Sequence, residues 1–137
     1  MRDRFDEQLM LLNKKMTEMG ALCEEVIALS AKALEECDPA LAERVAPRDS
    51  EIDSMERDIE TLCLRLLLQQ QPVARDLRQI SAALKMIADM ERIGDQAADI
   101  ADIVPHLSAP PDGRCGPIRD MARAVIRMVT ESVDAYV

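Results

Sequence analysis

Aromatic side chains are almost absent from this sequence of 137 residues, which contains one Phe, one Tyr and no Trp. Sandwiches and barrels of β-strands rely on aromatic and β-branched residues, so the composition argues against an all-β fold. Single-strand nucleic-acid binders stack bases on aromatic rings, and this sequence offers no such platform. The 26 acidic residues outnumber the 17 basic ones, and the net charge of −9 also disfavours a phosphate-backbone partner.

Histidine occurs once, at His106, and this scarcity argues against one class of metalloenzyme. A ferritin-like di-iron oxidase needs two Glu-x-x-His pairs, which one histidine cannot supply. The sequence also lacks a G-x-x-x-x-G-K loop and a G-x-G-x-x-G motif, and its histidine is not placed to activate a nucleophile. We therefore predict that the protein is not an enzyme.

Long apolar runs and paired cysteines are missing too. No run approaches the roughly 20 apolar residues that a transmembrane segment needs, and the charged N-terminal residues do not resemble a secretory signal. The four cysteines are far apart in the chain: Cys23, Cys37, Cys63 and Cys115. We expect reduced thiols rather than disulfides or zinc ligands, and a cytoplasmic protein.

The sequence is rich in helical periodicity. Apolar residues recur at intervals of three and four over residues 5–37, which predicts one long packed helix. Asp38 is a good N-cap for a second helix, and Pro39 suits its first position. Pro47 predicts a kink or break near residues 43–47. Residues 62–68 are apolar nearly all round, so we expect this end of the second helix to be the most buried.

A third helix is predicted over residues 73–104, and a fourth begins after a stretch rich in proline and glycine. Short connections make successive helices antiparallel neighbours. The predicted fold is therefore all-α: an elongated antiparallel three-helix bundle over residues 1–107. A linker over residues 108–116 leads to one further helix over residues 117–137.

Two rows of carboxylates interrupt the apolar pattern, and within each row the spacing of three and four places all members on one helical face. The rows are Asp49, Asp53, Glu56 and Glu60 on the second helix, and Glu91, Asp95, Asp99 and Asp102 on the third. In a hairpin that turns at Pro72, Asp49 is expected opposite Asp95. The same register places Asp53 opposite Glu91. Carboxylates so close cannot all remain ionised unless a cationic side chain or a metal ion compensates their charge, and otherwise some of them take up a proton.

Spacing alone leaves three interpretations of these rows. They are two ordinary solvated faces, or they pair with Arg48, Lys85 or Arg92, or they bind a metal ion. Sites made only of carboxylates favour hard cations such as Mg²⁺, Ca²⁺, Mn²⁺ or ferric iron. Gly94 lies on the inward stripe three residues after Glu91. The missing side chain there permits the close approach of another helix or of a ligand layer, and tight helix packing explains it equally well.

The same residues resemble a known family. Residues 71–103 read QPVARDLRQISAALKMIADMERIGDQAADIADI and resemble the third helix of PhoU proteins, with their QPxAxDLR opening and ERIGD core. Residues 45–63, VAPRDSEIDSMERDIETLC, resemble the second helix of that family, and residues 3–37 resemble the first. The sequence is thus identified as a PhoU-family member. It corresponds to a half-length or truncated member, since the family's second three-helix repeat is represented only by its first helix.

The resemblance implies a function. PhoU proteins are cytoplasmic all-α proteins that accompany the high-affinity phosphate ABC transporter and damp the phosphate-starvation response. By resemblance, this protein is a regulator of phosphate uptake and phosphate-starvation signalling. It would be an adaptor between the transporter's ATPase subunit and a sensor histidine kinase, and a homo-oligomer, usually a dimer. The alternative is a metal-storing or structural helical bundle with no signalling role, and a carboxylate-bridged di-metal hydrolase or oxidase is a third option.

The resemblance also implies a metal site. Several PhoU proteins bind metal ions through E/D-x-x-x-D motifs, which coincide here with the two pairs that the hairpin register brings together. The expected ligands are Asp49, Asp53, Glu91, Asp95 and Asp99. The expected ion is a divalent or trivalent metal: Fe, Mn, Mg or Zn.

Overall fold

The computed structural model describes residues 2–69, 72–107 and 116–137, and all regular structure in these ranges is helical. The helices are α1 (Arg2–Glu36), α2 (Pro39–Ala42), α3 (Val45–Gln69), α4 (Ala74–Ile103) and α5 (Gly116–Tyr136), with a 3-10 turn at Val104–His106. The predicted all-α bundle is confirmed. No helix in the described ranges combines the length and the apolar character needed to cross a membrane.

The junction between α1 and α2 follows from three consecutive residues. Cys37 takes a left-handed conformation, with a φ of 52°, and so ends α1. Asp38 then caps α2, because its Oδ1 atom accepts hydrogen bonds from the backbone N–H groups of Ala40, at 3.0 Å, and Leu41, at 3.4 Å. The predicted N-cap is therefore confirmed.

The break predicted before Pro47 is also present, because α2 ends at Ala42 and α3 begins at Val45. Pro47 thus lies in the first turn of α3, where a backbone N–H would have no helical acceptor. The helix continues beyond it without interruption to Gln69.

Helix α1 is the centre of the bundle and packs against α3, α4 and α5. Its inward stripe is fully buried and consists of Leu12, Met16, Met19, Cys23 and Val26. From the hairpin of α3 and α4, the residues buried around this stripe include Ile52, Ile59, Leu66, Ile80 and Ala83. Each of the larger side chains contributes about 1.5–3 kcal/mol when fully buried. This core holds α3 and α4 side by side and antiparallel.

The expectation that residues 62–68 form the most buried end of this helix is confirmed, since three of the six buried residues of α3 lie there. One face of the segment is nevertheless uncovered, since Leu64 is 48% exposed and Leu68 is 86% exposed. The other face of the same segment, with Leu62, Cys63 and Leu66, is buried as expected. Helix α3 has neighbours on its inner side, and among the described residues no element covers its outer side.

Helix α5 lies antiparallel along α1. Arg119, near the start of α5, forms an ion pair with Glu35, near the end of α1. Val133, near the end of α5, packs on Gly20, where an added Cβ atom would lie 2.9 Å from Val133 Cγ2. Residues 108–115 of the predicted linker lie outside the described ranges, and the division into domains stays a prediction.

The cysteines that the structure describes are separate thiols: Cys23, Cys37 and Cys63. Cys23 is buried and donates a hydrogen bond from its thiol to the carbonyl oxygen of Met90, with an S···O distance of 3.5 Å. Cys115 lies outside the described residues.

Candidate metal centre

Three carboxylates converge where α3 faces α4. One oxygen atom from each of Asp49, Asp53 and Asp95 lies within 4.8 Å of the other two. Asp49 and Asp53 are one turn apart on α3, and Asp95 comes from α4. This is the register that a hairpin turning at Pro72 predicts, so the placement of Asp49 opposite Asp95 is confirmed.

Gly94 allows this convergence. A Cβ atom at this position would lie 2.6 Å from Asp49 Oδ1 and 3.2 Å from Ile52 Cδ1, and the first distance is too short for any real contact. The Asp49 carboxylate therefore occupies the space beside the α4 backbone that a side chain would otherwise fill. The close approach expected of Gly94 is present, and the group that approaches is a candidate ligand.

Two oxygen atoms of the cluster are left without partners. Asp49 Oδ1 and Asp53 Oδ1 are buried and have no hydrogen-bond partner among the described residues. Leaving a buried polar atom unsatisfied costs about 1–3 kcal/mol, and more when it is charged. A hard cation would satisfy both atoms at once, because carboxylate oxygens are the ligands such ions prefer. The donor set therefore fits a metal ion.

The pKa values of the clustered carboxyl groups are raised as well. Burial, together with the nearby charges of Asp53 and Asp95, raises the pKa of Asp49 to about 6. A hydrogen bond to the side chain of Asp95, together with burial, raises the pKa of Glu91 to about 7. Without a cation, the cluster thus retains protons near neutral pH to limit the repulsion between its charges.

Two cations that could neutralise the cluster are engaged elsewhere. Arg48 donates hydrogen bonds to Glu25, at 3.0 Å, and to Glu51, at 2.7 Å. Arg92 forms an ion pair with Asp89, at 3.7 Å, on the exposed side of α4. The salt-bridge interpretation of the rows therefore loses two of its three candidates.

The remaining predicted ligands lie near the cluster but outside the group of three oxygens. Glu91 is hydrogen-bonded to Asp95, and the charge of Asp99 contributes to the raised pKa of Asp49. Glu56 belongs to the same environment, since burial and the charges of Glu60 and Asp53 raise its pKa. Glu56 was absent from the predicted ligand set, although its position three residues after Asp53 on the same row could have indicated it.

The fold and the site define a class: an all-α bundle with a cluster of carboxylates, suited to a hard cation, on a helical hairpin. The family model of the PhoU domain matches residues 16–104. The chain belongs to the PhoU family.

Curated relatives extend the match over nearly the whole chain. A Phosphate-specific transport system accessory protein PhoU homolog from Clostridium acetobutylicum is 37% identical over 99% of this chain and 63% of its own length. A protein of the same name from Pseudomonas aeruginosa is 34% identical over 97% of this chain and 56% of its own length. The chain therefore spans a little over half the length of these relatives.

A solved structure is similar as well. The crystal structure of PhoU from Pseudomonas aeruginosa superimposes with a TM-score of 0.86 at 33% sequence identity, and the match covers 96% of this chain and 64% of that one. At this identity the likeness extends beyond the general bundle fold to the family itself.

Proposed function

We propose that the chain acts in a phosphate-transport system as a metal-binding regulatory adaptor without catalytic activity of its own. The observation that carries this proposal is the identity of 34–37%, over almost the full chain, to proteins named phosphate-specific transport system accessory proteins. The carboxylate cluster is the feature that makes the adaptor a metal-binding one.

In this proposal Asp49, Asp53 and Asp95 hold the ion, and Glu91 orients Asp95 through their hydrogen bond. The ion, one of Fe, Mn, Mg or Zn, supplies positive charge between two helices whose facing carboxylates otherwise repel. Its binding would tie α3 to α4 and so stabilise the hairpin. The two unpartnered buried oxygens support this role.

The adaptor would work in the cytoplasm by binding other proteins. Its partners would be the ATPase subunit of the phosphate ABC transporter and a sensor histidine kinase, and it would form a dimer with a second copy. Regulation then consists of a change in which partner is bound as phosphate supply changes.

Binding assays with the purified ATPase subunit and the cytoplasmic part of the kinase, at high and low phosphate, test the proposal. We expect binding to at least one partner, with an affinity that depends on phosphate. Deletion of the gene is expected to change transcription from phosphate-responsive promoters. No binding under either condition, with unchanged transcription and retained metal, would instead support a metal-storing or structural bundle.

A further inference from the structure

The outer face of the α3–α4 hairpin changes character along its length. The row that begins with carboxylates continues toward the turn at the same spacing, but with leucines. On α3 the row is Asp53, Glu56, Glu60, Leu64 and Leu67, and on α4 it is Asp95, Glu91, Ala88, Leu84, Ser81 and Leu77. Steps of three and four keep each row on one side of its helix. The carboxylate cluster and the leucines therefore lie on one surface.

The leucines near the turn are only partly covered. Leu64 is 48% exposed and Leu77 is 47% exposed. Leu67 and Leu84 are partly buried and pack against the core beneath them. We call these four residues the leucine face. Exposed apolar residues grouped on one surface are typical of an interaction site.

Two cations border the leucine face. Arg78 and Lys85 are exposed and lie seven residues apart on α4, each next in sequence to a leucine of the face. Neither forms an ion pair or a side-chain hydrogen bond with any residue in the described ranges. In a chain with a net charge of −9, two free cations beside an apolar surface are complementary to carboxylates on a partner.

The shape of the hairpin favours a protein helix over a lipid surface. The leucines lie on the flank of two antiparallel helices, while Gln69, the last residue of α3, is exposed at the end of the hairpin. Insertion of this end into a membrane would bury the amide of Gln69 in hydrocarbon, which is costly. A helix that packs along the flank would cover the leucines and leave Gln69 in water.

We propose that the leucine face docks an amphipathic helix of another protein. That helix would present apolar side chains to the leucines and Asp or Glu side chains to Arg78 and Lys85, a helix-in-groove mode of recognition. The inference deepens the proposed function, on which it rests for its biological setting, by naming the surface with which the adaptor contacts a partner.

Synthetic helical peptides are suitable probes, because the full chain contains no Trp and one placed in a peptide reports binding by its emission. The first peptide has Leu at intervals of three and four, with Glu on both sides of the Leu stripe. The second has Lys in place of every Glu, and the third is a scrambled form of the first. We expect saturable binding of the Glu peptide and binding at least about tenfold weaker for the other two.

Variants of the face separate the apolar from the charged contribution. Leu64→Gln with Leu77→Gln is expected to weaken binding of the Glu peptide by about tenfold or more, as is usual for central apolar contacts. Arg78→Glu with Lys85→Glu is expected to weaken it similarly and to reverse the preference in favour of the Lys peptide. All four positions are exposed, and circular dichroism verifies that the variants remain folded.

Matched controls carry the same chemical changes elsewhere on the surface. Met10→Gln with Met128→Gln alters two apolar residues that are 71% and 66% exposed. Arg44→Glu with Arg127→Glu reverses two exposed charges away from the hairpin turn. Both controls are expected to bind the Glu peptide as the unmodified protein does.

Three outcomes would overturn the inference: equal binding of the Glu and Lys peptides, no effect of the leucine-face variants, or sedimentation with phosphatidylglycerol vesicles that these variants abolish.

Titration of the same variants with the transporter's ATPase subunit distinguishes this inference from the proposed function. Full binding by the Leu64→Gln, Leu77→Gln variant refutes only the docking surface. Failure of the unmodified protein to bind that subunit or the sensor kinase, with the peptide still bound, refutes only the proposed function.

Discussion

Among single residues, Asp49 combines the features that make the cluster a candidate metal centre: burial, an oxygen atom without a hydrogen-bond partner, and a raised pKa. Its Oδ1 atom is buried without a hydrogen-bond partner and lies where a side chain on residue 94 would otherwise be. Burial and two neighbouring carboxylates raise its pKa to about 6. A residue held in this way is costly in the metal-free protein and well placed to bind a cation.

Gly94→Ala is expected to weaken metal binding by about tenfold or more, the usual effect of displacing a residue that positions a ligand. The reason is steric, since the new Cβ atom would lie 2.6 Å from Asp49 Oδ1 and force that carboxylate to move. Calorimetric titration with Mn²⁺ measures the change. Gly116→Ala is the control, because an added Cβ atom there meets nothing within 4 Å. Unchanged affinity in Gly94→Ala would show that Asp49 is not a ligand.

The metal-free protein is expected to lose stability as pH rises. The folded-state pKa values of Asp49 and Glu91, about 6 and about 7, exceed their ordinary values, so the folded chain binds these protons more tightly than the unfolded chain does. The free energy of unfolding therefore falls between about pH 4 and about pH 7 and stays low above that range. Urea unfolding at pH 5 and pH 8 in the presence of chelator measures this difference.

The control for this pH dependence is Glu91→Gln, which removes the group with the pKa of about 7 and is expected to reduce the difference between pH 5 and pH 8. A metal-free protein that is more stable at pH 8 than at pH 5 would contradict the account.

At the scale of the helices, local signals in the sequence were sufficient. The periodicity predicted α1, α3, α4 and α5 close to their observed bounds, and Asp38 with Pro47 predicted the short α2 and the break after it. These features depend on residues within one or two turns of each other. The register of α3 against α4 was also predictable, because a short turn at Pro72 leaves an antiparallel pair little freedom.

The exact membership of the cluster was not predictable from the rows. A helix rises by about 1.5 Å per residue, so Glu91 and Asp99 differ by about 12 Å in height although they share a face. That span exceeds the coordination shell of one ion, and among the described residues the carboxylates that converge are those of Asp49, Asp53 and Asp95. Spacing indicates a face, whereas the height of each residue relative to the neighbouring helix decides which carboxylates come together.

Asp38→Ala is expected to lower the free energy of unfolding by about 1 kcal/mol, the usual cost of removing an N-cap. The aspartate accepts two backbone hydrogen bonds at the start of α2, and alanine accepts neither. Asp38→Asn keeps the accepting oxygen and is expected to retain most of the stability. Urea unfolding of both variants measures this contrast, and an equal loss in the two would show that the cap contributes little.

At the scale of the whole molecule, α1 organises the fold because the three other long helices pack around it. The sequence predicted which residues face inward but not how many sides of each helix are covered. For this reason the sequence did not predict that Leu64 and Leu68 are exposed while Leu62 and Leu66 beside them are buried. Coverage depends on where other elements lie, and no periodicity within α3 contains that information.

The packing of α5 on α1 depends on Gly20. Gly20→Val is expected to push α5 away, because even a Cβ atom would lie 2.9 Å from Val133 Cγ2. Hydrogen exchange of residues 118–136 should become about tenfold faster or more, corresponding to a loss of about 1.4 kcal/mol in local stability. Exchange in α4 should change little.

The control for this substitution is Ala21→Val, which adds a β-branched residue on the exposed side of the same helix. Equal acceleration in both variants would attribute the effect to helix propensity rather than to the contact with α5.

The most direct test of the central claim, that Asp49, Asp53 and Asp95 form one metal site, is a Mn²⁺ titration of chelator-treated protein followed by electron paramagnetic resonance. The unmodified chain should bind Mn²⁺ saturably, Asp53→Asn should bind it about tenfold more weakly or worse, and Asp58→Asn, an exposed carboxylate on the same helix, should match the unmodified chain. Equal affinity in all three proteins, or no saturable binding in any of them, would contradict the account.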